Sequence, residues 1–301
     1  MSAPLPSAFR CGYVAILGAP NAGKSTLLNR LLGMKIAITS KRPQTTRTRI
    51  LGVVQRPGAQ MILLDTPGIH QARGPLNTRI VAAALTAMED VDLLLWLVDA
   101  ERPDPEAEGF LLERLPSAGP PVLLAINKID RVAKAQVLPL IDAWRRRHPF
   151  AAIVPISARY GTQLEALEEE MTRLLPEGPA LFPEDQVTDQ PERVIVTEMI
   201  REKVFRLTGA EIPYSTAVTV EQFKARPDRA LIDIHATIHL ERDSQKAIVI
   251  GKGGAKLRQI GEAARMDIQR LLGAKVFLKL FVRVQKNWTR DAKAMERFGY
   301  P

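Results

Sequence analysis

The chain has 301 residues, 46% hydrophobic and 25% charged, which suits about two globular domains and excludes a disordered or fibrous protein. No apolar run approaches the ~20 residues of a membrane-spanning helix, and the first ten residues lack a charged region followed by an apolar stretch, so no secretory signal is expected. The net charge is +9 and uneven, with twelve Lys/Arg against four Asp/Glu over residues 251–301, which points to nucleic acid or an anionic surface unless it is a solvated face. One cysteine, Cys11, lies in an apolar run. That excludes a disulfide framework, favours a reducing cytoplasmic compartment and suggests a buried, unreactive thiol.

Strands are expected at 12–17, 48–55, 60–64, 91–98, 121–126 and 151–156, alternating with helices at 24–33, 75–89, 105–115, 135–147 and 162–175. Strict alternation implies βα units and a mostly parallel sheet. Runs such as 93–98 are apolar without alternation, as strands buried on both faces are. Residues 177–190 are rich in proline and acids without periodicity and read as a linker. The pattern then restarts with a helix at 191–208, strands at 214–224 and 230–240, a short helix at 244–250, a helix at 255–272 and a strand at 275–284. The second part, 191–301, is therefore a smaller α+β unit of order α-β-β-α-α-β with a basic tail, after an α/β unit over 8–176.

Residues 18–25, Gly18-Ala19-Pro20-Asn21-Ala22-Gly23-Lys24-Ser25, match GxxxxGK[ST] between a strand and a helix. Consecutive amides there can curl around a β-phosphate at a helix N-terminus, Lys24 can reach the β/γ-phosphates, and Ser25 can ligate Mg²⁺. Three further segments follow in order at strand ends. Asp65-Thr66-Pro67-Gly68 offers a carboxylate for Mg²⁺ and the Gly68 amide for the γ-phosphate. Asn127-Lys128-Ile129-Asp130 places Asp130 to accept from the ring N–H and exocyclic amine of guanine, which adenine cannot match. Ser157-Ala158 would bring the Ala158 amide to the guanine carbonyl. Together they imply a GTP/GDP site.

This order is the pattern of the translation-factor-like P-loop GTPases. It makes residues 38–49 the first switch, with Thr45 or Thr46 meeting Mg²⁺ and the γ-phosphate and Thr46 favoured. The second switch would run from Asp65 through Thr66, Pro67, Gly68 and Ile69 to about residue 79. Ile69 stands where small regulatory GTPases carry a water-orienting glutamine, so slow intrinsic turnover is expected. Asn21 is a candidate K⁺ ligand, the cation replacing an arginine finger; its other reading is turn stabilisation. Among weaker features, Arg145, Arg146, Arg147 and His148 read as a solvated helix end, and His70, His148, His235 and His239 form no ligand set.

Gly251-Lys252-Gly253-Gly254 lies between two short helices. Such a GxxG loop is the phosphate clamp of KH domains, which hold about four nucleotides of single-stranded RNA. Lys252 and Lys256 add charge, with Ile248, Ile250, Leu257 and Ile260 as the expected aliphatic groove.

The whole resembles the Era family of bacterial ribosome-assembly GTPases, a GTPase domain followed by a type II KH domain. The likeness rests on residues 18–26 through Thr26, the stretch at 43–47, Asp65–Gly68, Asn127–Asp130 and the GKGG loop, and it spans roughly residues 8–288. It implies binding near the 3′ end of small-subunit ribosomal RNA on the assembling small subunit, gated by GTP. It also implies a secondary, peripheral association with the inner membrane; no obligate oligomer is expected. Competing readings are a constitutive RNA-binding module and a lipid-bound signalling GTPase.

Overall fold

The computed structural model describes residues 9–39, 49–68, 81–82, 85–86, 88–115, 119–208, 212, 216–226 and 230–299. The described residues divide into two compact units, one holding 9–33, 49–68 and 81–189, the other 34–39 and 190–299. The predicted helix at 75–89 lies mostly outside the described residues.

In the first unit the strands are β1 Arg10–Leu17, β2 Ile50–Arg56, β3 Ala59–Asp65, β4 Leu93–Asp99, β5 Val122–Asn127 and β6 Ala152–Pro155. They form one sheet in the order β2-β3-β1-β4-β5-β6, parallel except for the antiparallel β2–β3 pair. Between them come helices α1 Lys24–Leu32, α2 Pro105–Leu112, α3 Lys134–Arg145 and α4 Leu164–Leu174. Strands β3 and β5 are buried at every position, which explains the continuous apolar stretches Met61–Leu64 and Val122–Ile126 within them. The core centres on Trp96 of β4, whose ring meets Trp144 and Phe150 edge-on at 5.2 and 5.9 Å, a geometry that adds to the burial of aromatic area. Cys11 is buried and its Sγ lies 3.4 Å from Gln60 Oε1; burial pushes its thiol up.

Parallel strands with intervening helices place the C-terminal ends of β1, β3, β4, β5 and β6 on one edge of the sheet. In α/β sheets that edge is where ligands bind. The four motifs lie there, after β1, β3, β5 and β6.

The stretch expected as a linker is not a free tether. Val53 N–H donates to Val187 O at 2.8 Å, Thr188 Oγ1 to Leu51 O at 2.6 Å and Gln60 Nε2 to Phe182 O at 2.8 Å. Strand β2 is the sheet edge, and the first two contacts occupy its backbone groups, which an uncovered edge would leave unpaired.

The second unit contains α5 Glu192–Leu207, β7 Ala217–Arg226, β8 Leu231–Leu240, α6 Asp243–Ile250, α7 Ala255–Leu272 and β9 Lys275–Val284, the α-β-β-α-α-β order read from sequence. Its sheet runs β7-β8-β9, with β7 antiparallel and β9 parallel to β8. Helix α7 buries Ile260, Ala264 and Ile268, one residue per turn. Glu202 of α5 is fully buried and meets Lys35 Nζ at 2.7 Å and Arg206 at 2.8 Å, while Asp267 takes Lys35 at 2.8 Å and Lys203.

The tail is more ordered than its charge suggests. A 3₁₀ turn at Trp288–Arg290 and helix α8 Ala292–Arg297 follow β9. Trp288 is buried with its ring edge-on to Phe298 at 5.1 Å.

Candidate functional site

The loop after β1 needs glycine where its backbone turns under β4. Gly18 has φ 144°, and a Cβ there would stand 2.3 Å from Leu97 O, so any side chain would displace the loop. Lys24, the first residue of α1, is buried, and its Nζ donates to Gly18 O and Ala19 O at 2.9 Å each. Burial pulls this ammonium down to about 8, opposed by the Asp65 carboxylate. The lysine is thus folded against the loop it closes. Asn21 takes a left-handed conformation at φ 65° and is exposed, a state asparagine tolerates better than most residues.

Ser25 Oγ donates to Asp65 Oδ2 at 2.7 Å, bringing two oxygen donors from β3 and α1 together beneath the loop. Hydroxyl and carboxylate oxygens suit a hard cation such as Mg²⁺, which keeps waters and shares substrate phosphate oxygens, so the donor set fits. Thr66 is fully buried and its Oγ1 donates to Ile16 O at 2.7 Å, tying the end of β3 to β1. Pro67 and Gly68 follow, and a Cβ on Gly68 would stand 2.8 Å from Pro20 Cα; the two loops touch backbone to backbone. Thr45, Thr46 and Ile69 lie outside the described residues.

Asn127 is the hub. Its Nδ2 donates to Ala22 O at 2.7 Å, while its Oδ1 accepts from Lys128 N at 2.8 Å and Ala158 N at 3.0 Å. One buried side chain thereby joins the loops after β1, β5 and β6. The amide has two N–H groups and Ala22 O takes one of them, so Asn127 ties the loops together and still has a donor to offer a base. The Ala158 amide, expected to meet the guanine carbonyl, is engaged by Asn127. Ser157 is fully buried and donates through Oγ to Asp130 Oδ1 at 2.6 Å, so it aims the aspartate rather than touching a base. Lys128 sits at φ 66° with its ammonium paired to Asp99. Asp99 belongs to no sequence motif; a carboxylate ending a buried strand is its only local signal.

In the second unit the loop between α6 and α7 has positive φ at Gly251 (71°), Gly253 (59°) and Gly254 (78°). A Cβ on Gly251 would meet Lys256 Cβ at 2.7 Å. The turn therefore depends on glycine, and it leaves Lys252 and Gly253 exposed. Ile248 is 43% exposed beside it, whereas Ile260 is fully buried. Ile260 thus belongs to the core and not to an open groove, a correction to the sequence reading. Lys256 lies half-buried at the start of α7, its Nζ 3.5 Å from Gln259 Oε1.

A phosphate-type loop, a DxxG turn and an NKxD turn on one sheet edge, joined in sequence to a unit with a GxxG turn, define a P-loop GTPase fused to a KH domain. Family models agree: a 50S ribosome-binding GTPase model matches residues 13–128 and a KH domain model residues 211–289. The GTPase Era of Geobacter metallireducens is 54% identical over 97% of this chain and 98% of its own, and that of Syntrophus aciditrophicus is 48% identical over 97% and 95%. The structure of a point variant of Aquifex aeolicus Era bound to GDP and AlF4⁻ superposes with a TM-score of 0.93 at 41% identity, covering 97% of this chain and 99% of that one. Era in complex with MgGDPNP and nucleotides 1506–1542 of 16S ribosomal RNA matches with the same score and coverage at 42% identity. The chain belongs to the Era family of GTPases. No described helix is long and apolar enough to cross a membrane.

Proposed function

We propose that this GTPase is a switch that binds small-subunit ribosomal RNA near its 3′ end and acts in assembly of the small subunit. The reading is carried by one chain holding a guanine-type turn and an exposed GKGG turn, together with the relative solved with 16S RNA. Residues 8–176 act as the nucleotide domain, 177–190 connect, and 191–301 engage RNA.

The backbone of Gly18–Ser25 and Thr26 cradles the phosphates of GTP. Lys24 swings from the carbonyls of Gly18 and Ala19 to the β/γ-phosphates, which keep it protonated. Mg²⁺, bound by Ser25 and Asp65 with a threonine of the first switch, supplies charge neutralisation between the phosphates. Asp130, aimed by Ser157, accepts two N–H groups of guanine; a base lacking them leaves the carboxylate unpaired, costing about 1–3 kcal/mol or more. Gly68 meets the γ-phosphate and reports its loss. With Ile69 in place of a glutamine, water is not oriented by that side chain, and turnover is slow until further positive charge arrives. K⁺ held by Asn21 is one source, and equal rates in Na⁺ and K⁺ buffers of matched ionic strength would dismiss it. Lys252, Gly253, Gly254 and Lys256 clamp the RNA backbone, with Ile248 against a base. Ribosomal RNA as partner places the protein's work in the cytoplasm; peripheral attachment to the inner membrane is a second location, testable by liposome flotation without RNA.

Asp130→Asn tests the guanine assignment. The variant should lose about tenfold or more in GTP affinity and gain affinity for xanthosine triphosphate, because the amide pairs with the carbonyl that replaces the guanine amine. An unchanged preference for GTP would remove Asp130 from the site.

A further inference from the structure

The three-stranded sheet of the second unit carries helices on one face. Leu280 of β9 lies under α7, its Cδ1 3.5 Å from where a Cβ of Gly261 would stand, and Val276 is buried on the same side. Alternation along a strand then sends Lys275, Phe277, Lys279, Phe281 and Arg283 to the opposite face, and all five are exposed. Phe277 is 50% and Phe281 42% exposed, two of the few large apolar side chains so open among the described residues. On the neighbouring strand β8, His235 pairs in register with Lys279. Its ring lies between the two phenylalanines, edge-on to each at 6.4 Å. Lys279 Nζ sits 5.0 Å from the Phe281 ring.

The acids facing this strip are already engaged. Asp233 is paired with Arg226, and Glu221 accepts from Thr237 Oγ1 at 2.7 Å. Past His235 the face is closed at His239 by Phe298, whose ring lies 4.6 Å away. What stays open is a strip of aromatic rings alternating with cations, with no exposed aliphatic side chain between them on β9. Phe277 and Phe281 stand about 13 Å apart along the strand.

We propose that this open face is a second binding surface for single-stranded RNA. Bases stack on Phe277 and Phe281, flanked by His235, and phosphates meet Lys275, Lys279 and Arg283. A protein partner would favour contiguous aliphatic area with few charges at its centre. Flat rings interleaved with lysine and arginine instead match a flexible polyanion with flat bases, as on sequence-tolerant single-strand platforms. The surface is separate from the GKGG turn, which joins two helices, and its assignment does not depend on that turn's role.

The test uses the full-length protein and an unstructured, fluorescently labelled 20-nucleotide RNA at fixed salt. Five forms are compared: wild type, F277A/F281A, F277Y/F281Y, K252D/G253D and the combination of F277A/F281A with K252D/G253D. The sheet variant should bind about tenfold more weakly per ring removed, F277Y/F281Y should restore binding, and the losses of sheet and loop variants should add. Unchanged affinity in F277A/F281A overturns the proposal whatever the loop variant does. An unchanged loop variant beside a weakened sheet variant would fault the GKGG reading alone. If the sheet variant keeps RNA affinity but loses binding to small ribosomal subunits, the face docks protein and the RNA assignment is wrong. Should F277A/F281A not fold, photo-crosslinking of wild type to 4-thiouridine RNA decides: adducts on the 275–284 peptide are expected, and adducts confined to 243–258 contradict the proposal.

Discussion

The nucleotide edge of the first unit and the RNA-facing surfaces of the second are built on opposite principles. Around the phosphate loop the polar side chains are buried and tied to one another: Asn127 joins three loops, Ser157 holds Asp130, and Thr66 ties β3 to β1. A small ligand with fixed donors and acceptors is read by such a preorganised set, because little beyond the Lys24 side chain and the switch residues has to reorganise. The second unit instead exposes a left-handed glycine turn and rings with loose neighbours. A polymer is held there by many weak phosphate and stacking contacts, none of which needs an interior network. Stability and binding should therefore be coupled in the first region and separable in the second.

The largest effect expected is at the hub. Asn127→Ala orphans the amides of Lys128 and Ala158 and the carbonyl of Ala22, each worth about 1–3 kcal/mol when buried. The first unit should lose roughly 2–4 kcal/mol of stability, and nucleotide affinity should fall about a hundredfold. Denaturant titration and a fluorescent-GDP assay on one preparation check both. A variant that lost affinity at full stability would break the coupling.

Next comes K252D/G253D. Reversing one charge and adding another on the turn should cost about tenfold or more in RNA affinity. Its melting temperature and GTP affinity should scarcely change, because the turn is open and aspartate tolerates a left-handed backbone. Unfolding of the variant, or a matching loss of GTP binding, would show that the two regions share one design.

The smallest effect is a pH dependence. Burial, with Arg283 and Arg297 nearby and Glu221 opposing them, holds His239 down to about 4, and its Nε2 lies 2.8 Å from Thr219 Oγ1. An unfolded chain protonates this histidine near 6.5, so acid favours unfolding. Its contribution should be complete above about pH 6.5 and decline as pH falls toward 4. His239→Gln should flatten the stability profile in that window. An unaltered profile would mean the histidine is solvated in the folded state.

The same contrast governs what could be read from sequence. Phosphate and guanine recognition demand particular residue types at strand ends, so Gly18–Ser25, Asp65–Gly68 and Asn127–Asp130 stand out from their residue types and spacing alone. The GKGG turn and the α-β-β-α-α-β order were legible for a similar reason: glycine spacing and apolar period are local. What escaped was non-local. Asn127 and Ser157 carry the residue types of ligand contacts, and only the convergence of three loops reveals that they also tie the protein together. Ile260 has the look of a groove residue until α7 is seen to bury it. Trp288 and α8 lie in a run too short for periodicity and masked by charge. The proline-rich stretch 177–190 has a linker's composition, yet strand β2 offers its edge hydrogen bonds. Phe277 and Phe281 mark a strand by alternation, but which face stays open depends on where the helices pack.

Coupling of nucleotide state to RNA engagement within one chain is what would make this protein a switch. The most direct measurement is the affinity for a short RNA matching the small-subunit ribosomal 3′ end, taken with a non-hydrolysable GTP analogue and with GDP at the same salt. Binding at least about tenfold tighter with the analogue, corresponding to about 1.4 kcal/mol of coupling, is the result expected. Equal affinities in the two states would contradict the switch and leave a constitutive RNA-binding protein that happens to hydrolyse GTP.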